Sequence, residues 1–439
     1  MKARLASFVL LALLLAGSML MLAESAPHSA GLRALEQAER LAATGQRTAA
    51  AHAYQQAIAQ LPGEYEPALR LAELYYEWGH PGEGLNALSE AMRRNAPREQ
   101  VITTQLGLLL QAGEYETAER VATARLERYP QDRLALATLA TATLHRGDCE
   151  AAAPIVARWA AVAPADARAQ RLHAALLPAS LLPADDLARG LDLLQSGEGQ
   201  PAICVLQRTV ASDPTLAEAH AWLGETLSRN PSAGSGNGPS AGSGDGPSTG
   251  SGDARYHLEE ATRLQPETPL YWLLLGTHAL RQGDVELAET ALWKAHTLDP
   301  GNAAACLGMA AAQALAGRYE ATPRWIDATL ERAPNDPEIW KAAARFYLER
   351  NFYQGDYPLR AATGAVRLAP SDPEAQLLLG WAQLLRGDAA GALAPLEAAG
   401  DFPQAHYLQG LALQTLGRGE EAQTAFLRAA DLGYVEARR

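Results

Sequence analysis

Residues able to do chemistry are few and scattered along this chain. It has ten histidines and three cysteines in 439 residues, and no His pairs with Cys at a metal-ligand spacing. It has neither a G-x-x-x-x-G-K-[ST] phosphate loop nor an H-E-x-x-H zinc helix. Gly238-Pro239-Ser240-Ala241-Gly242 and Gly246-Pro247-Ser248-Thr249-Gly250 fit G-x-S-x-G. A nucleophile elbow needs a strand before it and a helix after it, with His and Asp partners placed by a sheet. That context is missing. Asn237, Asp245 and Asp253 recur every eight residues, as in calcium-binding repeats, but without the aliphatic position that stacks a β-roll. Leu15-Ala16-Gly17-Ser18 has the form of a lipidation box with Ser18 where the lipidated Cys must stand. Of Cys149, Cys204 and Cys306, at least one must be unpaired within the chain, and all three read as small apolar packing residues. The sequence thus offers no catalytic, cofactor-binding or metal-ligating set.

What remains is binding chemistry, and binding side chains need elements to hold them. Pro269 to Asn302 reads as two short helices folded back on each other. Leu275 and Ala279 lie four apart, as do Ala288 and Leu292, so each helix has an apolar seam. Gly283 marks the turn, and Pro300 stops the second helix. Gly276 and Ala288 are small where the helices approach. One and the same interval separates Gly45 from Pro62, Gly113 from Pro130, Gly147 from Pro164 and Gly283 from Pro300. A shared interval in unrelated surroundings marks a repeat.

This pattern resembles the tetratricopeptide family, whose unit is a 34-residue helix–turn–helix. Trp272, Leu275, Gly276, Ala288, Ala295 and Pro300 match its motif, with Ala279 in place of the usual Tyr. The resemblance implies an all-α fold, a right-handed α-solenoid of about eleven such repeats. The run Ala429 to Ala437 is similar to the junction of Sel1-like repeats. Four segments are expected. Residues 1–29 form a signal peptide or membrane anchor, and 30–230 carry repeats with a register break at 167–182. Residues 231–253 form a flexible Gly/Ser/Pro insertion, and 254–439 carry repeats and a charged cap. Helix Ala167 to Leu177 in the break is either a joint between stacks or a decayed repeat. The interval from Gly224 to Ala254 exceeds its counterpart from Gly276 to Ala288 by slightly more than two octads, and that excess is the insertion.

Lys2 and Arg4 precede Leu5 to Ala23, a run without a charge. Its positive flank places the repeats outside the cytoplasm. They are membrane-anchored if the run spans, or secreted or periplasmic if it is cleaved. The net charge of −13 argues against nucleic acid, and membrane contact is expected through this segment alone.

In the tetratricopeptide family the groove lined by first helices binds extended peptides or partner helices. Carried over residue by residue, the groove positions include Glu73 and Tyr76, His145, Thr277 and Arg281, Lys341 and Arg345, and Trp381. Lys341 and Arg345, four apart on one helix face, would offer an acidic partner a site, with Trp381 as an apolar anchor. The expected role is a non-catalytic extracytoplasmic scaffold with a protein or peptide partner, assembling a cell-envelope complex. The alternatives are an accessory subunit of a separately encoded envelope enzyme and a passive spacer.

Overall fold

The computed structural model describes residues 28–177, 183–230, 250–350 and 356–434. The apolar run Leu5 to Ala23, the three octads up to Thr249, Asn351-Phe352-Tyr353 and the chain end from Val435 lie outside the described residues. No helix among the described residues is long and apolar enough to cross a membrane.

The described residues form 23 α-helices and no strand. They are α1 (28–43), α2 (Arg47–Gln60), α3 (Glu66–Trp78), α4 (Pro81–Arg93), α5 (Arg98–Gln111), α6 (Tyr115–Arg128), α7 (Arg133–His145) and α8 (Cys149–Val162). Then come α9 (Ala167–Leu176), α10 (Pro183–Gln195), α11 (Gly199–Ser212), α12 (Ala217–Arg229), α13 (Gly250–Leu264), α14 (Pro269–Gln282), α15 (Val285–Leu298) and α16 (Ala303–Leu315). The last are α17 (Thr322–Arg332), α18 (Pro337–Arg350), α19 (Tyr357–Leu368), α20 (Pro373–Leu385), α21 (Ala389–Ala398), α22 (Pro403–Thr415) and α23 (Gly419–Asp431). Two compact units result. One runs to Glu114 and takes in Gly419 onward; the other is Tyr115–Arg418.

The short turns inside the helix pairs follow from glycine. Gly45, Gly79, Gly113, Gly147, Gly197, Gly283, Gly317, Gly387 and Gly417 hold φ between +74° and +87°. Side chains with a Cβ disfavour that region, so the expected turn glycines are where the backbone requires them. The connections of two further hairpins, α12–α13 and α18–α19, fall at 231–249 and 351–355, outside the described residues.

The second small-residue rule acts where helices touch. A Cβ on Gly276 would lie 2.5 Å from Leu292 Cγ, and Gly380 and Gly190 meet Leu396 and Leu206 at 2.5 and 2.9 Å. The interval from glycine to leucine is identical in all three pairs. In α12–α13 the same contact joins Gly224 to Leu258, across that interval lengthened by the insertion. The inserted residues therefore leave the packing register intact. Helix α13 begins at Gly250, earlier than the expected Ala254. The extra turn places the Asp253 carboxylate at the helix N-terminus, where the dipole favours an anion.

Loop carbonyls between hairpins are satisfied by a recurring device. The side chain six residues after the loop proline reaches back to its carbonyl. Trp272 Nε1 donates to Pro266 O at 2.8 Å, Trp340 Nε1 to Pro334 O at 3.0 Å, and Gln376 Nε2 to Pro370 O at 2.7 Å. All three bonds are solvent-exposed, so each ties the loop to the following helix without rescuing a buried carbonyl.

Helix α9 has no hairpin partner, yet it is firmly held. Arg208 from α11 donates to Ala175 O and Leu177 O at its C-terminus and to both oxygens of Asp186, which is 1% exposed. The register break is therefore a packed element between α8 and α10. It also explains a correction. Cys149 and Cys204 form a disulfide, with Cα atoms 5.8 Å apart, while Cys306 is free and buried. The chain between the bonded cysteines leads only from one second helix to the next, because α9 and α10 take up the interval.

Candidate functional site

Six of the eight expected groove positions fall in the larger unit, and four of them, His145, Arg281, Lys341 and Arg345, sit in three polar clusters. Each cluster ties together successive elements of the stack.

The first is centred on His145, at the end of α7. Its ring stacks on Tyr115 at 4.5 Å. Burial lowers the imidazole's pKa, and nearby Arg168 adds to this against the opposing pull of Glu198. A neutral His145 thus lines a cavity of about 200 Å³ with Thr141, Arg168, Glu198, Gln200 and Asn230. Arg168, on α9, is held by Glu198 through two bonds of 2.6 and 3.1 Å. The cavity therefore presents hydrogen-bonding groups around a charge that is already compensated. Such a site recognises shape and polar pattern more than net charge.

The second cluster contains Arg281 on α14. It donates to Glu225 Oε2 at 2.8 Å and to Ser228 Oγ at 2.7 Å, both on α12. Ser228 Oγ lies 2.6 Å from His278 Nδ1. Burial first, then Arg281, lowers the His278 pKa. Ser228 is 7% exposed and His278 2%, so this serine–histidine pair is sealed inside the stack. Arg281 is consequently a staple between first helices, with part of its guanidinium at the surface.

The third cluster corrects the expectation for Lys341 and Arg345. Lys341 is only 5% exposed. Its ammonium contacts Asp372 at 2.7 Å, Glu338 at 2.8 Å and Glu374 at 3.1 Å. Burial alone would lower its pKa, but hydrogen bonds to the three carboxylates overcome this and hold it raised. Arg345 is paired with Glu374. The two cations are thus taken up within the fold, because the next first helix, α20, begins with acids that cap it. Asp372 Oδ1 accepts from the backbone of Glu374 and Ala375 while Oδ2 takes Lys341. Trp381 on α20 is half-buried against the cluster of Leu377, Leu396 and Leu408 and acts in packing. Trp340, Ala344 and Tyr347 serve packing: Ala344 and Tyr347 are 0% and 1% exposed, and Trp340 covers Gly364.

Tyr76 lies in the smaller unit. Its ring is 40% exposed and covers Gly107, where a Cβ would come within 2.6 Å of it. Glu73 pairs with Arg70 at 3.1 Å, and Thr277 bonds Leu274 O within its own helix.

Tetratricopeptide-repeat models match the chain over 279–346 and over 250–303 and 352–406. These segments are similar to tetratricopeptide repeats. No curated protein matches. Among solved structures, yeast Tom70 is 13% identical, with a TM-score of 0.37, covering 94% of this chain and 93% of its own. A tetratricopeptide repeat protein of Parabacteroides merdae is 15% identical with a TM-score of 0.41, covering 58% and 94%. A thermophilic tetratricopeptide protein of Thermus thermophilus is 20% identical with a TM-score of 0.37, covering 46% and 100%. The repeat assignment rests on the matched segments. Tetratricopeptide proteins mediate protein–protein interactions, and their fold is typically a non-catalytic scaffold.

Sequence reasoning missed Arg168, Glu198 and Asn230 beside His145, since their elements lie in and beyond the register break. It also missed a histidine pair. His220 Nδ1 and His257 Nδ1 are 2.9 Å apart, and His220 Nε2 lies 3.2 Å from Pro214 O. The signal was present: His220 stands six residues after Pro214, the position held by Trp272 and Trp340.

Proposed function

We propose that this chain is a non-catalytic scaffold that binds a protein or peptide partner outside the cytoplasm, in the assembly of a cell-envelope complex. The observation that carries the reading is the run of tetratricopeptide repeats, together with the His145 cavity at the end of a first helix. The partner is recognised there by a side chain or chain turn seated between His145, Gln200 and Asn230. Because Arg168 is already compensated by Glu198, capture depends only weakly on salt. The location is supported by the Cys149–Cys204 disulfide, since such bonds persist in oxidising compartments. The uncharged run Leu5 to Ala23 supplies the export signal or tether.

The test is co-purification of the tagged full-length protein from membranes, beside its His145→Ala variant. The variant is expected to stay helical and to lose the captured protein. Unchanged capture by a folded variant removes the cavity from the binding surface. A C-terminal alkaline phosphatase fusion is expected to be active; an inactive fusion beside an active cytoplasmic reporter reverses the location.

A further inference from the structure

We propose that the Cys149–Cys204 disulfide is a redox latch on the His145 cavity, and that its reduction by a dithiol loosens the cavity's two walls and lowers partner capture. The inference rests on the reading of this cavity as the partner's site.

One wall is the end of α7, with Thr141 and His145. The other is the start of α11 and the turn before it, with Glu198, Gln200 and Pro201. Cys149 follows His145 by four residues, just across the turn at Gly147, and Cys204 follows Pro201 by three, within one turn of α11. Their bond therefore fastens one wall to the other, with the Cα atoms 5.8 Å apart.

Two other ties bear on the same elements, and neither takes its place. Arg168 bridges the walls, but its bond to Thr141 Oγ1 is 3.4 Å long and exposed. Its side chain is also 42% exposed where it pairs with Glu198. Exposed pairs of this kind add little to rigidity. Arg208 ties α11 to α9 and to Asp186 on α10, but from the C-terminal half of α11. Leu206 meanwhile packs on Gly190 of α10. Helices α10 and α11 are thus joined as one hairpin, anchored to α9 through Arg208 and to α8 through Cys204. Cutting the disulfide frees the cavity end of a hairpin that stays folded.

The chemistry is a thiol–disulfide exchange. Cys149 is partly exposed and Cys204 is 7% exposed, so the attacking thiolate reaches Cys149 Sγ. A new S–S bond forms there as the Cys149–Cys204 bond breaks, and Cys204 leaves as a thiolate that takes up a proton. The second thiol of the reductant then attacks the reductant's own sulfur in the mixed disulfide, and Cys149 leaves and is protonated. Two electrons pass from the dithiol to the protein, and the reductant ends as a disulfide.

Hydrogen exchange of the full-length protein tests this, before and after dithiothreitol and again after reoxidation. The amides to follow are Asp148, bonded to Thr143 O at 3.2 Å, and Glu198, bonded to Leu193 O at 2.9 Å, one beside each wall. Reduction is expected to speed exchange in the peptides carrying them at least about tenfold, to leave α14 to α16 unchanged, and to be reversed on reoxidation. Cys149→Ala with Cys204→Ala should show the fast exchange without reductant. Unchanged exchange at both walls overturns the latch. So does a rise shared by α14 to α16, which makes the bond a staple of the whole array. Capture from membranes separates the latch from the proposed function. If His145→Ala keeps the captured protein, the cavity is not its site, and the exchange result still decides the latch. If His145→Ala loses that protein while the reduced wild type keeps it, the control of binding is overturned.

Discussion

A lysine four residues from an arginine on one helix face invites an anion, and Lys341 has already found three. Its removal would strand Asp372 and Glu374 beside each other, partly shielded from solvent. Lys341→Met is therefore expected to cost about 2–4 kcal/mol, in the range for breaking a shielded ion pair. Chemical denaturation would measure it; a loss below the ~1 kcal/mol of an exposed pair would place the ammonium in water. The histidines give a second residue-scale prediction. His220 Nε2–H donates to Pro214 O, so its Nδ1 accepts from His257 Nδ1–H. Burial, and then the neighbouring His220, push the His257 pKa down to about 4. Burial also lowers that of His220, against the pull of the Pro214 carbonyl and Glu260 and with that of Arg263. An unfolded imidazole takes up its proton near pH ~6.5, before the folded pair does. The stability from this pair is thus fully present above that pH and is lost as pH falls toward about 4. Melting curves taken from neutral to mildly acidic pH should fall more steeply for the wild type than for His257→Gln.

Between the elements, close approach admits few residue types, and this made the fold legible. Gly276→Ala would push a methyl to 2.5 Å from Leu292 Cγ. Overpacking of that kind costs about 1–3 kcal/mol, and urea unfolding followed by helicity would show it. Gly283 at φ +76° and Pro300 just past the end of α15 were readable for the same reason, since backbone geometry leaves little choice there. The polar clusters were not readable in that way. Lys341 meets Asp372, Arg168 meets Glu198 and Arg281 meets Glu225, each pair reaching from one helix to a later one. Acids and bases are common enough at such distances along the chain for no spacing to single one out. Candidate groove positions could be located, but whether each was free or already paired depended on the facing helix. His145 is a groove position that lines a cavity.

At the scale of the whole molecule, the repeats supply many local contacts and one covalent long-range one. The disulfide closes a sequence separation of 55, spanning α8 to α11. In the chain-entropy account a loop of that size stabilises by about 4 kcal/mol. Reduction, or Cys149→Ala with Cys204→Ala, is expected to lower the unfolding midpoint. An unchanged midpoint would mean that Arg208 and the packing around α9 already fix this region without it.

The same bond has a mechanical consequence. A helical-repeat array pulled from its two ends lengthens hairpin by hairpin. Tension cannot reach the segment held between Cys149 and Cys204, because the bond carries the load past it. At about 3.4 Å per extended residue, roughly 190 Å of contour stays hidden while the thiols are oxidised. A single-molecule extension trace should lengthen by that amount when reductant is added, so the chain's reach under load is set by the redox state of two sulfur atoms.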